Sequence, residues 1–330
     1  MKSLSAALTV ALIALAAWLA AAFVAARPWL ALVVPALAAL VFLVGITVRV
    51  GAWMRSAVPF RITTTCGQQR SLPWIRSARL ESPATSLGVL GRMALEVLLF
   101  RSLFRNTTAQ LRGGPRLVYR EEKFLWLGAI AFHWSLLAIL VRHLRFFVEP
   151  TPSVVNAVAA VDGFFQVGAP VLYVTDVVVV AALGYLALRR LIEPRLRYLS
   201  QYSDHLALDL LLGITGTGVW MRYIARTDVV SAKALALGLV TFTPAVPPGA
   251  TTLFLVHLAL VSALLAYIPF SKLAHMAGVF FSPTRNLPND NRSRRHVNPW
   301  DYPVKVHTYE EWEDEFRDKI KAAGLPLEGA

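Results

Sequence analysis

The sequence has almost none of what would staple a soluble domain together. It contains a single cysteine, Cys66. One thiol closes no disulfide within the chain and supplies no cysteine set for an iron–sulfur cluster or a zinc ribbon. Cys66 lies in a polar stretch, where a spectator thiol is the expectation. Charge is scarce as well. Asp, Glu, Lys and Arg make up 16% of the residues, against about 25% in soluble domains. Acids are the rarer sign, 20 against 33 Lys and Arg, which leaves a formal net charge of +13. Hydrophobic residues make up 56% of the chain. This is the composition of an integral membrane protein. The basic surplus therefore reports topology, because basic segments resist translocation and stay in the cytoplasm. It implies no nucleic-acid partner.

A membrane-spanning helix needs about 20 mostly apolar residues. Six stretches qualify, at 4–26, 30–50, 124–148, 166–188, 205–224 and 251–275, the first two separated by a break at Arg27-Pro28. The expected fold class is all-α, a polytopic membrane bundle of six helices. The stretch 232–243 is too short to span and ends in a turn holding Pro244, Pro247 and Pro248. It is expected to lie in the interface or to re-enter. The first run is read as an uncleaved signal anchor rather than a leader, because a second span follows at once. Four regions result: two N-terminal helices over 1–50, a basic cytoplasmic loop over 51–123, a four-helix domain over 124–276, and a tail over 277–330.

The loop 51–123 holds twelve Lys or Arg against four acids. Arg189, Arg190, Arg195 and Arg197 follow the fourth span, and Lys272, Arg285, Arg292, Arg294 and Arg295 accompany or follow the end of the sixth. Positive charge on the inside places both termini and that loop in the cytoplasm. Arg142, Arg145, Arg222 and Arg226 then fall towards the outer face. Within the loop, 91–112 mixes Leu and Phe with Arg101, Arg105 and Arg112, the pattern of a basic amphipathic helix on the membrane surface. The tail carries a charged amphipathic patch over 309–316, expected as one short, partner-facing helix.

Ionisable side chains are costly in hydrocarbon and mark function when they occur there. His133 and His143 lie ten residues apart in the third span, and His257 and His275 eighteen apart in the sixth. At 3.6 residues per turn both separations return to broadly the same helix face. The third and sixth spans run antiparallel. His133 should therefore meet His275 near the cytoplasm, and His143 should meet His257 near the outside. Each pair would supply both axial ligands of one haem iron, leaving it closed to oxygen and suited to electron transfer. One mismatch stands out. The second pair would be about 27 Å apart on a regular helix, against about 15 Å for the first. Pro269, between the two ligands, must break the helix to absorb it. His205 reads as a helix-start residue. Taken singly, each histidine would be as well explained by a hydrogen bond to a neighbouring helix. A non-catalytic anchor needs no such matched faces, and a transporter would be favoured by an internal repeat, which is not found.

The residues Phe132-His133, Arg142-His143, His257 and Pro269-Phe270-Ser271-Lys272-Leu273-Ala274-His275 resemble the cytochrome b (gamma) subunits of respiratory nitrate reductases. The turn Arg189-Arg190-Leu191-Ile192-Glu193-Pro194-Arg195 is similar to the loop of that family. The extra N-terminal span and longer loop depart from it. The tail Phe281-Ser282-Pro283-Thr284-Arg285-Asn286-Leu287, followed by Asn289-Asp290 and Arg294-Arg295-His296-Val297-Asn298-Pro299-Trp300, looks like the DsrM family. Those are membrane cytochromes b of the sulfite-reduction-associated Dsr complex. The resemblance implies two b haems and a quinone or menaquinone substrate. It further implies a cytoplasmic iron–sulfur partner of heterodisulfide-reductase type (DsrK-like), alongside other Dsr membrane subunits. It sets the quinone pocket beside the outer pair, His143 and His257. Arg142, Arg145 and Arg222 are then candidates to hold haem propionates or a quinone carbonyl, with lipid headgroup contact the alternative for Arg222. Asp176, the acid deepest among apolar residues, is either a proton relay or an arginine's ion-pair partner. Asp162 and Glu149 are further proton acceptors.

Overall fold

A computed structural model describes residues 2–56, 67–166, 170–294, 303 and 305–328. Cys66 and the tail motif from Arg295 to Trp300 lie outside the described residues. The chain is a helical membrane bundle. In order it forms α1 (Lys2–Ala22), α2 (Val34–Arg55), α3 (Ser86–Leu99), α4 (Arg101–Phe104), β1 (Thr107–Arg112), β2 (Arg116–Glu121), α5 (Lys123–His143) and α6 (Ser153–Asp162). Then come β3 (Gly163–Phe165), β4 (Leu172–Tyr173), α7 (Val174–Ile192), α8 (Pro194–Leu199), α9 (Tyr202–Tyr223), α10 (Val229–Val240) and α11 (Thr252–Tyr267). Three short or peripheral helices finish the chain: α12 (His275–Gly278), α13 (Pro283–Asn286) and α14 (Tyr309–Ala322).

Among the described residues, four helical stretches are long and apolar enough to cross a membrane: Lys2–Ala22, Val24–Arg55, Lys123–Phe146 and Thr252–Phe270. The expected fourth and fifth spans, α7 and α9, are of comparable length but carry three charged residues each. They are Asp176, Arg189 and Arg190 in α7, and Asp204, Asp209 and Arg222 in α9. These two helices sit in the middle of the bundle. α5 packs on α7, α7 on α9, α9 on α1 and α11, and α11 on α1 and α2. Leu8, Leu12, Leu37, Leu40, Leu43, Leu137 and Leu140 point outward and are exposed. An apolar exterior of that extent belongs against lipid.

Small residues let the helices approach. Ala6, Ala17 and Ala21 of α1 are buried, and Val10 and Ala17 join Leu210, Val256, Ala259 and Leu260 in the central cluster. Close backbone approach of this kind is how helices associate when lipid tails remove the hydrophobic drive between them. The tightest such contact is between α5 and α7. A Cβ added at Gly128 would lie 2.6 Å from the Tyr185 ring. Gly128→Val should therefore force the two helices apart and cost about 1–3 kcal/mol. A thermal melt in detergent checks this, and an unchanged melting temperature would contradict it.

Three local expectations need correction. The turn between the first two spans falls at Phe23, whose backbone is extended, and not at Arg27-Pro28. Pro28 sits instead at the start of the turn that leads into α2, where a proline costs no helical hydrogen bond. Arg27 reaches back and donates through Nε to the Ala21 carbonyl at 2.9 Å, capping α1. The amphipathic helix placed at 91–112 runs only to Leu99. Phe100 then takes a left-handed conformation at φ 50°, and after α4 the chain enters the β1–β2 hairpin. Thr107 begins a β-branched and alternating stretch that Gly113 and Gly114, both at positive φ, turn back on itself. The fourth span starts at Val174 rather than 166, because Gly163–Phe165 pairs with Leu172–Tyr173 as a short antiparallel ladder first. The tail does form its helix, α14. Thr308 accepts from Glu311 N at its start, and the Glu311 side chain returns the bond.

Candidate metal centre and outer charge network

All four candidate histidines have one ring nitrogen occupied in the same way. In α5, His133 Nδ1 lies 2.7 Å from the Ala129 carbonyl, and His143 Nδ1 lies 2.7 Å from the Ile139 carbonyl. His275 Nδ1 lies 2.9 Å from the Lys272 carbonyl. A carbonyl oxygen only accepts, so in each case Nδ1 carries the proton and donates it. His257 Nδ1 is 2.8 Å from Thr217 Oγ1. That hydroxyl already approaches the Gly213 and Ile214 carbonyls at 2.8 and 3.0 Å, so its free role towards His257 is that of acceptor. Every ring is thereby fixed as the tautomer that leaves a lone pair on Nε2. Metal-binding histidines are oriented by this device, a second nitrogen donating to a carbonyl or similar acceptor.

The rings of His133 and His275 stand 6.1 Å apart at their centroids, nearly perpendicular at 84°. Two imidazoles bound on opposite sides of one metal through nitrogens at about 2 Å would hold their centroids about 6 Å apart. His143 and His257 are close enough to interact electrostatically. Between them, α5 and α11 do not pack as α5 packs on α7, among the described residues. No group of three or more His, Cys, Asp or Glu that could hold an ion by itself occurs among the described residues. A haem asks for two protein ligands only, since its macrocycle supplies the rest. Imidazoles with an unoccupied Nε2 are the kind of donor that a b-type haem takes.

The break foreseen at Pro269 is present. α11 ends at Tyr267. A 3-10 turn over Ile268–Phe270 follows, then Ser271 in extended conformation, and a second 3-10 turn over Lys272–Ala274. His275 therefore does not continue the axis of α11. Lys272 anchors the segment to α9 through Asp204, Nζ to Oδ1 at 2.8 Å.

At the other end of α5 lies a buried ion network. Arg142 is 7% exposed although it sits beside His143 on an apolar helix. Its Nη2 donates to Asp176 Oδ1 at 2.5 Å and to Thr175 Oγ1 at 3.0 Å. Its Nε lies 3.2 Å from Asp162 Oδ2 without hydrogen-bond alignment, which makes that contact a charge pairing only. Thr175 completes the set, donating its backbone N–H and its hydroxyl to Asp162 at 2.9 and 2.6 Å. Tyr223 donates its hydroxyl to Asp176 Oδ2 at 2.7 Å. Arg222 donates to the Val171 carbonyl at 3.0 Å, with its Nε 4.0 Å from Asp176. Both guanidiniums lie over the Tyr173 ring, at 3.7 Å for Arg142 and 4.4 Å for Arg222. Two cations thus balance two carboxylates. Arg142, Arg145 and Asp176 all act electrostatically on His143.

The structure thus joins Arg142, Asp162, Asp176 and Arg222 in one cluster. It leaves Arg145 outside the ion pairs. Arg145 Nε donates to the Arg142 carbonyl at 3.1 Å, and its terminal nitrogens have no partner among the described residues. Glu149 pairs with Lys233, away from the cluster. Asp176 is ion-paired with Arg142 and also accepts from Tyr223. Sequence reasoning missed Thr217, Tyr173, Thr175 and Tyr223. They act on partners in other helices, and no spacing along the chain announces that. Thr217→Val keeps the shape but removes the acceptor of the His257 Nδ1–H. The loss of such an orienting partner typically costs about 10–100-fold in metal affinity. Titrating haem into the variant should show that weakening at one site only, and equal affinity at both sites would contradict it.

The sequence profile of the family described as nitrate reductase gamma subunit matches residues 87–290. A protein named Hdr-like menaquinol oxidoreductase cytochrome b-like subunit, from Archaeoglobus fulgidus, is 48% identical over 276 residues, covering 82% of each chain. A protein of the same name from Archaeoglobus profundus is 44% identical over 274 residues, covering 81% of each. The helical membrane bundle and these matches together place the chain in the nitrate reductase gamma subunit family.

Proposed function

We propose that this chain is the dihaem b-type membrane subunit of a menaquinol-linked oxidoreductase complex. His133 and His275 hold the inner haem, and His143 and His257 the outer. The observation that carries the reading is the common state of the four imidazoles, each with Nδ1 spent and Nε2 available. When bound, the two haems supply one-electron transfer across the hydrocarbon layer.

The chain's own residues do the rest. Oxidation of a menaquinol to the quinone releases two electrons and two protons. Arg145, with its terminal guanidinium nitrogens unused among the described residues, is placed to donate to a quinone oxygen beside the outer pair. Asp176 and the Tyr223 hydroxyl, joined at 2.7 Å, are placed to take the protons and pass them outward. Arg142 holds the two nearby carboxylates in place. The four Arg142, Arg222, Asp162 and Asp176 charges cancel, so the network tolerates burial without drawing in an ion.

The protein lies in the cytoplasmic membrane with both termini inside, following its basic loops. Electrons pass inward to a cytoplasmic iron–sulfur subunit of heterodisulfide-reductase type, DsrK-like, with other Dsr membrane subunits in the same complex. The names of the Archaeoglobus relatives support both menaquinol as donor and the Hdr-like partner. The tail motif that begins at Phe281 supports the sulfur-metabolising assembly.

Purified protein should give a reduced-minus-oxidised spectrum of b type, with about two haems per chain by pyridine haemochrome assay. Colourless, correctly folded protein, or one haem per chain, would remove the proposal.

A further inference from the structure

The segment that carries His275 is held from a direction the family match does not include. The matched residues begin at 87, so α2 lies before them. Along α2, Gly45, Arg49 and Trp53 recur every fourth residue and so form one stripe of the helix surface. All three touch the broken segment. A Cβ at Gly45 would fall 2.7 Å from the Pro269 side chain, so any larger residue there would have to displace the proline. Arg49 Nη1 donates to the Pro269 carbonyl and, at 2.9 Å, to the Ser271 carbonyl. Trp53 passes 3.4 Å from where a Gly278 Cβ would stand, and its ring lies 6.2 Å from that of Phe281. The Arg49 guanidinium stacks over the same indole at 5.3 Å.

The contacts bracket His275. Pro269 and Ser271 precede it, and Gly278 and Phe281 follow it. A proline break frees carbonyls that a continuing helix would have paired. Unpaired, they are costly in a low-dielectric layer. One cationic side chain on a neighbouring helix resolves this and fixes where the segment sits. A lone arginine within an apolar span is itself expensive and calls for such a use.

We infer that α2 is a brace for the inner metal ligand, with Arg49 as the positioning residue that sets the placement of His275. This rests on the assignment of His133 and His275 as one haem's axial pair. A brace acting through the ligand should alter the electronic state of the inner haem and leave the outer haem untouched. Loss of a nearby positive charge also makes the oxidised haem easier to form, so the inner potential should fall.

The test is redox titration and low-temperature EPR of the full-length haem-loaded protein. Arg49→Met should shift the inner haem's low-spin signal and lower its midpoint potential, with the outer haem unchanged. Arg49→Lys, which keeps the charge and a donor group, should recover most of both. Gly45→Val, which retains Arg49 but displaces Pro269, should change the inner signal alone. If Arg49→Met fails to assemble, Arg49→Lys and Gly45→Val decide the matter by the same signature. Unchanged inner-haem signals in assembled variants, or equal changes at both haems, overturn the inference. His275→Leu separates this from the underlying assignment. Two unaltered haems in that variant mean that His275 is no ligand, whatever Arg49 does.

Discussion

Replacing His257 by leucine should remove one b haem, keep the other and abolish reduction by menaquinol. His257 belongs with His143 in the proposed outer pair and is oriented through Thr217, so leucine deletes one of that pair's two axial donors and leaves the His133–His275 pair intact. Bound metal of this type needs both donors for a closed, low-spin site. His275→Leu should give the complementary result. Menaquinol should still reduce the remaining haem, but electrons should not reach a cytoplasmic acceptor. Haem quantitation and quinol-driven reduction followed at the Soret band read both outcomes. Loss of both haems, or of neither, from either single substitution would mean that the pairs are misassigned.

Arg142→Ala should destabilise the protein by about 3–5 kcal/mol, because it strips the buried Asp162 of its cation and leaves Asp176 with only the more distant Arg222, at 4.0 Å. Thr175 still donates to Asp162 and Tyr223 to Asp176, but neither carries charge. Arg142→Lys should rescue little. A lysine cannot reach both carboxylates in the manner of a planar fork, nor stack on Tyr173 at 3.7 Å as the guanidinium does. Combining Arg142→Met with Asp176→Leu should be milder than Arg142→Ala alone, since the pair is replaced by apolar bulk rather than broken. The check is a double-mutant cycle on detergent melting temperatures. If Arg142→Ala melts with the parent, the network has no structural role. Because the cluster acts on His143, a retained fold with a shifted outer-haem potential would instead locate its role in tuning.

Much of this protein was legible in one dimension. The apolar runs announced the helices of the bundle, since spanning length and hydropathy follow from bilayer thickness. The histidine spacings pointed to one face of each helix, and the proline at 269 foretold a break. Both are properties of a single helix and its period. Errors arose where short-range chemistry competed. Leu and Arg periodicity suggested a helix through 112, but β-branched Thr107 and Thr108 and the Gly113-Gly114 turn favoured a hairpin. Arg27-Pro28 looked like a turn, yet proline is at ease in a first helical turn.

The sequence by itself determined that the chain crosses a membrane as helices and that four imidazoles recur within its third and sixth apolar runs. Only the tertiary structure decided how those imidazoles are oriented, that Arg142 is neutralised by acids from α6 and α7, and that Arg49 grips the carbonyls freed at Pro269. The reason is the range of each force. Hydropathy and helical period act along one segment, so the order of residues encodes them directly. A buried charge or an unpaired carbonyl must be satisfied by whichever group lies next to it in space, and that neighbour is chosen by packing between segments far apart in the chain.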